Sequence, residues 1–167
     1  MKEELDIVDA HDNLVGKADR NSVHKKNLLH RGVQIFIFNS KGEIFVQQRG
    51  LKKDRFPGFW EASLSGHVSA GEAYKEAAER ELHEELGVCI PPKLFKEFIK
   101  FGEHNDEDRM LVTLFVIKDF TGEVMRDEDE VKQGDFWSIK KLEEEIKKGE
   151  KFFHPSFLHA WKLYNEK

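Results

Sequence analysis

The sequence predicts an α+β domain, a mixed β-sheet sandwiched between helices, and three observations support this. Short apolar, β-branched runs come first, an amphipathic stretch interrupts them, and two helical segments close the chain. No internal repeat, low-complexity tract or long Pro/Gly-rich linker divides the 167 residues, so a single domain over 1–167 is expected. A chain of that length closes one hydrophobic core without disulfides or structural metal.

Taken in order, Gln34 to Phe38 is an apolar and aromatic run, Asn39-Ser40-Lys41-Gly42 is a turn signal, and Ile44 to Gln48 resumes as a second strand. After a loop holding Phe56-Pro57-Gly58, the spacing of Tyr74, Ala77, Ala78 and Leu82 predicts a helix from about Ala73 to Leu86, stopped by Gly87. Phe95 to Phe101 and Met110 to Ile117 are further strands around the polar loop Gly102 to Arg109, and Phe136 to Ile139 is a short one. Lys140 to Lys148 and Pro155 to Tyr164 read as helices, with Pro155 in a first turn where its missing N–H costs nothing.

Bulk properties limit the function classes. With 39% hydrophobic and 35% charged residues and a net charge of −5, the chain has no general attraction for a nucleic-acid polymer. A polyanionic substrate must be held locally, by a metal or a basic patch. The lone Cys89, between Val88 and Ile90, reads as a buried structural thiol and fits a reducing compartment. The acidic stretch Met1 to Asp12 lacks an apolar signal core, and no run approaches the roughly 18 apolar residues of a membrane span. A cytoplasmic chain with no membrane partner is the expectation.

The chemistry concentrates between Gly66 and Val88. On a helical wheel Tyr74, Ala77 and Ala78 mark the inward stripe; Glu81 and Glu85 fall within it and Glu84 on its border, while Lys75, Glu76, Glu79 and His83 point away. Carboxylates at such spacing repel, more so when partly buried, and something must offset that. Arg80 is one candidate. A divalent cation is the other, since clustered hard oxygens suit magnesium or manganese. A Glu-rich helix is more often a solvated face. Here the acids lie on the apolar side, no lysine follows any of them by four residues, and a glycine-bearing loop leads into the helix.

Gly66, five residues, Glu72, seven residues, then Arg80-Glu81-Leu82-His83-Glu84-Glu85-Leu86-Gly87-Val88 resembles a complete Nudix box. The resemblance implies a Nudix fold and divalent-cation-dependent hydrolysis of a nucleoside diphosphate derivative or related organic diphosphate, so the expected partner is a small-molecule diphosphate; a homodimer is compatible with it. It assigns Glu81, Glu84 and Glu85 as Mg2+ ligands, with Mn2+ able to substitute, and Gly66 as a backbone-carbonyl ligand. Arg80 matches the arginine that orients those glutamates, and Glu72 the acid near the helix start. Glu72 has a bland reading too, because Ser69 three residues earlier makes Ser69-Ala70-Gly71-Glu72 a potential capping box. Cleaving a pyrophosphate requires neutralised oxygens, an in-line water and a general base. Box glutamates, or Glu103, Asp106, Glu107 and Asp108 of the polar loop, are candidate bases.

The resemblance extends further, through Leu5-Asp6-Ile7-Val8-Asp9, His30-Arg31-Gly32, Gln47-Gln48-Arg49 and Phe56-Pro57-Gly58-Phe59-Trp60, to the branch containing isopentenyl-diphosphate isomerase and hydrolase relatives. Residues 1 to about 30 then form that branch's N-terminal extension. His24, His30 and His67 resemble in position the isomerases' histidine-rich metal site, with His67 adjoining the box glycine; His24 and His30 also read as exposed residues before a strand. Arg49 and Lys53 match diphosphate-gripping residues, within a basic run Lys52-Lys53-Asp54-Arg55. The chain departs from the isomerases where they carry a catalytic cysteine, since Ser63-Leu64-Ser65-Gly66-His67 offers only serine, and Met110 to Leu114 lacks the partner glutamate. A serine hydroxyl is too weak an acid to replace a thiol, so hydrolysis is favoured over isomerisation. A non-catalytic, nucleotide-sensing domain is disfavoured by the intact box. Phe56, Phe59 and Trp60 stack on a base, pack an isoprenoid chain or belong to the core.

Overall fold

The computed structural model describes residues 3–104 and 108–167, so two of the candidate bases, Asp106 and Glu107, lie outside the described residues. Nine strands and four helices follow in the order β1 (Glu4–Val8), β2 (Leu14–Asp19), α1 (Arg20–Lys25), β3 (His30–Asn39), β4 (Ile44–Arg49), β5 (Trp60–Ala62), β6 (Leu64–His67) and α2 (Tyr74–Leu86). After a 3-10 turn at Pro92–Leu94 come β7 (Lys96–His104), β8 (Arg109–Phe120), β9 (Val131–Trp137), α3 (Ile139–Lys148) and α4 (Pro155–Asn165).

β3 organises the mixed sheet. It runs parallel to β8 from His30↔Met110 onward and antiparallel to β6 from Gly32↔His67 to Ile35↔Leu64, and it touches β1 at Ile7↔His30 and β4 at Phe38↔Ile44. A strand covered on both faces must be apolar on both, which is why β3 reads as a continuous run. Val33, Ile35 and Ile37 pack with Ala77, Ala78, Leu82 and Leu86 of α2. Phe36 and Phe38 face the opposite way, into a cluster with Phe157, Ala160 and Trp161 of α4. The sheet is thus sandwiched between helices as expected, and no described helix is long and apolar enough to cross a membrane.

Several elements were not anticipated. β1, β2, α1, β5 and β6 are short or polar, and sequences such as LSGH acquire strand geometry only by pairing with β3. The strand expected at Phe136 to Ile139 is instead Val131–Trp137, because Ser138 caps α3, its side chain accepting the Lys141 N–H at 3.2 Å. Residues 3–30 are a woven part of the sheet, since β1 pairs with both β2 and β3. Cys89 is exposed, not a buried thiol: the left-handed Gly87 that ends α2 turns the chain outward after Val88. Phe56, Phe59 and Trp60 are half-buried; Trp60 packs against the Phe36 cluster with its ring 5.0 Å from that of the buried Trp137, so the core reading holds for Trp60 and fails for Phe56 and Phe59.

The N-terminal hairpin fixes the loop that enters α2. Ala70 N–H donates to Glu4 carbonyl at 2.8 Å and Gly71 N–H to the Asp6 carboxylate at 3.0 Å. Asp12 accepts from Arg31 at 2.6 Å, Lys100 at 2.7 Å and the Tyr74 hydroxyl at 3.1 Å, tying hairpin, sheet and helix together.

Candidate active site

One cavity of about 620 Å³ opens between α2, the loop after β4 and the start of α4. Gly66, His67, Arg80, Glu81, Glu84, Glu85, Arg49, Lys53 and His24 all line it, from the residues singled out in the sequence. Glu72 and His30 stand immediately behind, each bonded to or packed against a lining residue.

At one end lie the glutamates of α2. Glu85 is buried and Glu84 exposed, as their wheel positions require, with Glu81 partly covered between them. A Cβ on Gly66 would come within 2.6 Å of the Glu81 side chain, so only glycine lets β6 approach this carboxylate. Arg80 holds the group in register. It grips Glu72 with two bonds of 2.9 Å, reaches Glu81 at 2.7 Å and Glu84 at 3.3 Å, and donates to the His67 carbonyl at 3.1 Å. Burial opposes ionisation of Glu72, but the Arg80 bonds win and hold its pKa below the usual range. The capping reading of Glu72 holds in half: Glu72 Oε2 accepts the Ser69 N–H at 3.0 Å, but no helix starts there, and α2 begins at Tyr74 with Glu76 accepting the Ala73 N–H at 2.9 Å.

Glu81 and Glu85 behave differently. Burial pushes both carboxyls up, Glu85 to about 7 despite Lys53 at 3.4 Å. Lys53 also pairs with Glu130, and Arg49 with Glu61 at 3.1 Å, so both expected phosphate-gripping residues rest against carboxylates. Glu81, Glu84 and Glu85 line the same cavity as Gly66 and are hard oxygen donors of the type a divalent cation takes, although among the described residues only His24, His30 and His67 draw three ligand-capable atoms within 4.8 Å of one another.

At the other end His24, His30 and His67 meet, with ligand-capable atoms within 4.8 Å of one another. They come from α1, β3 and β6, and the Gly32↔His67 register brings the last beside the others. Burial, opposed by the Leu28 bond, lowers the pKa of His30; burial and then neighbouring His30 and Arg20 hold His67 well below its ordinary value. Both rings are therefore neutral near pH 7, the form that ligates metals. His30 Nδ1 donates to the Leu28 carbonyl at 2.9 Å, leaving Nε2 buried as the lone-pair nitrogen without a hydrogen bond among the described residues. The expectation of exposed histidines fails for His30, which is fully buried. Asp108 lies 3.4 Å from His24 and 3.7 Å from His30, and 3.3 Å from Arg55.

The base candidates separate. Glu103 pairs with His159 at 2.8 Å outside the cavity, whereas Asp108 lines it, joined by Asp127 and Glu130, which sequence reading missed. Arg20, Gln34, His154 and Ser156 were also missed; nothing local marks them, because distant pairing and the docking of α4 bring them in. Ser65 donates to Glu61 Oε2 at 2.6 Å, so a buried carboxylate does stand beside the serine, supplied by β5 and not β8.

Residues 28–160 match the NUDIX domain family. The chain is 34% identical over 164 residues to isopentenyl-diphosphate Delta-isomerase 1 of Photorhabdus laumondii, covering 95% of this chain and 93% of that protein. It is 42% identical over 99 residues to isopentenyl-diphosphate Delta-isomerase 2 of the same organism, covering 59% and 56%. For the first few curated relatives the match spans only about half their length. A crystal structure from Deinococcus radiodurans superposes with a TM-score of 0.78 at 25% identity, over 97% of this chain and 99% of that one.

Proposed function

This chain belongs to the Nudix family, and from that premise we propose that it is a magnesium-dependent pyrophosphohydrolase acting on a small organic diphosphate. The observation that carries the reading is that Glu81, Glu84, Glu85 and Gly66 line one cavity together with Arg20, Arg49, Lys53 and Arg55. On this reading the carboxylates and the Gly66 carbonyl hold magnesium, and manganese substitutes. When bound, the ion supplies neutralisation of diphosphate oxygens and a more acidic attacking water. The basic residues grip the diphosphate, Lys53 and Arg49 exchanging their carboxylate partners for phosphate oxygens of similar geometry. Arg80 is a positioning residue, keeping Glu81 and Glu84 aimed into the cavity. Water oxygen bonds to phosphorus as the bridging P–O bond breaks, and the water's proton passes to a cavity-lining carboxylate.

We read His24, His30 and His67 as a second metal site, supported by the mutual approach of their ligand-capable atoms to within 4.8 Å and the unpartnered His30 Nε2 among the described residues. Isomerisation is the second reading, favoured by that trio and by the names of the relatives. Against it, Ser65 stands where proton transfer at carbon needs a thiol. The test measures phosphate or pyrophosphate release with magnesium from a panel of diphosphates, beside deuterium exchange into isopentenyl diphosphate. Release that is unaltered by Glu84→Gln and Glu85→Gln, or exchange without release, would sink the hydrolase reading.

A further inference from the structure

Carboxylates other than the three glutamates of α2 also line the cavity, and their partners set them apart. Glu3 lies 3.6 Å from Arg20 and 3.7 Å from His67, where the histidines meet. Asp108 is shared among Arg55, His24 and His30. Asp127 accepts the Asp129 N–H at 2.9 Å and so closes its own turn. Glu130 instead meets Lys53, and the same ammonium lies 3.4 Å from Glu85. One lysine thus bridges the α2 cluster and the loop before β9.

That loop is pinned on both sides. The Glu130 carbonyl accepts the Gly50 N–H at 2.8 Å, just after β4, and the Asp127 N–H donates to the Glu85 carbonyl at 2.8 Å. A Cβ on Gly50 would strike the Asp129 carbonyl, so glycine lets the two loops close. The Glu130 backbone is therefore fixed beside the α2 glutamates, while its side chain, 40% exposed, keeps contact with water. A base must pass its proton on to solvent after each turnover, which the buried Glu85 is badly placed to do and Glu130 is well placed to do. A carboxylate paired with an ammonium is a weak base, because the cation favours its ionised form. A diphosphate offers Lys53 a more highly charged partner, and Glu130, left without its cation beside phosphate charge, gains by taking a proton.

We propose that Glu130 is the general base of the hydrolysis, and that Lys53 masks it until a diphosphate draws the ammonium away. The inference rests on the pyrophosphohydrolase reading and names the base which that reading leaves open. As water oxygen bonds to phosphorus, the bridging P–O bond breaks and its electron pair stays on the departing oxygen. The water's proton passes to a Glu130 carboxylate oxygen, from which solvent removes it. Grip and base are thereby linked, since the contact that holds the diphosphate is the one that uncovers the carboxylate.

The test takes the best substrate of the diphosphate panel, with magnesium. Glu130→Gln lowers kcat by about 10²-fold or more with KM unchanged or lower, and Glu130→Asp recovers part of the loss. Asp127→Asn, on the same loop, stays within about threefold of wild type. Masking is read without turnover, from calorimetric Kd values for imidodiphosphate with magnesium. Glu130→Gln tightens that binding about two- to fivefold, the worth of a half-exposed ion pair, and has no such effect in a Lys53→Met background. An active wild type whose kcat survives Glu130→Gln, or falls as far with Asp127→Asn, overturns the base. Imidodiphosphate binding that is unaltered or weaker in Glu130→Gln overturns the masking. A wild type that releases nothing from the panel ends the hydrolase reading and the base with it, so the two failures are distinct.

Discussion

At one end of the cavity three glutamates come from Glu81 to Glu85, little more than one turn of α2; at the other, His24, His30 and His67 come from α1, β3 and β6. The first group is local, and Arg80 from the same helix bonds two of its members, Glu81 and Glu84. The second exists only when the β3–β6 pairing and α1 are in place. The donors differ as well. Carboxylates and a backbone carbonyl suit hard divalent ions, whereas imidazole nitrogens suit softer ones. One cavity therefore joins an acid cluster drawn from one helix with an imidazole cluster that depends on tertiary structure.

The largest expected effect breaks the acid end. Glu84→Gln and Glu85→Gln each lower kcat for diphosphate hydrolysis by about 10³-fold, measured as phosphate release, because removal of one charge-stabilising group costs that order. A drop equally large from His67→Ala would erase the contrast between the ends. Next, Gly66→Ala lowers kcat by about 10²-fold with a melting temperature close to wild type. The added methyl would strike only the flexible end of Glu81, which swings away and leaves the fold standing. Calorimetry showing gross unfolding would place the glycine's role in folding instead.

A smaller effect sharpens the imidazole end. Cobalt(II) titration gives visible ligand-field bands that His67→Ala weakens about tenfold in affinity and Glu84→Gln leaves in place. Bands lost with Glu84→Gln and kept with His67→Ala would reverse the assignment. The smallest effect concerns pH. Burial raises Glu85 to about 7, so between the usual carboxylate range and 7 the folded chain keeps a proton that the unfolded chain has lost. Stability of the metal-free protein thus falls as pH rises through that window. Magnesium, which needs the ionised carboxylate, raises the melting temperature more at pH 8 than at pH 5.5. An equal gain at both, by thermal shift, would remove Glu85 from the site.

The glutamate cluster and the elements that carry it were legible from local pattern. Helical periodicity of 3.6 residues places Tyr74, Ala77, Ala78, Glu81 and Glu85 on one side, and no distant contact is needed to say so. The long apolar runs of β3, β4, β7 and β8 were legible for the same reason, since burial on a face leaves a local pattern. Only the tertiary structure decided the rest. The Glu72 bond to Arg80, the meeting of His24, His30 and His67, and the bond from Gln34 to Ser156 all join residues far apart in the chain or outside one helical turn. Strand register and the docking of α4 set those distances. Both are fixed by the summed packing of the two cores on either side of β3, a quantity that no short window of sequence contains.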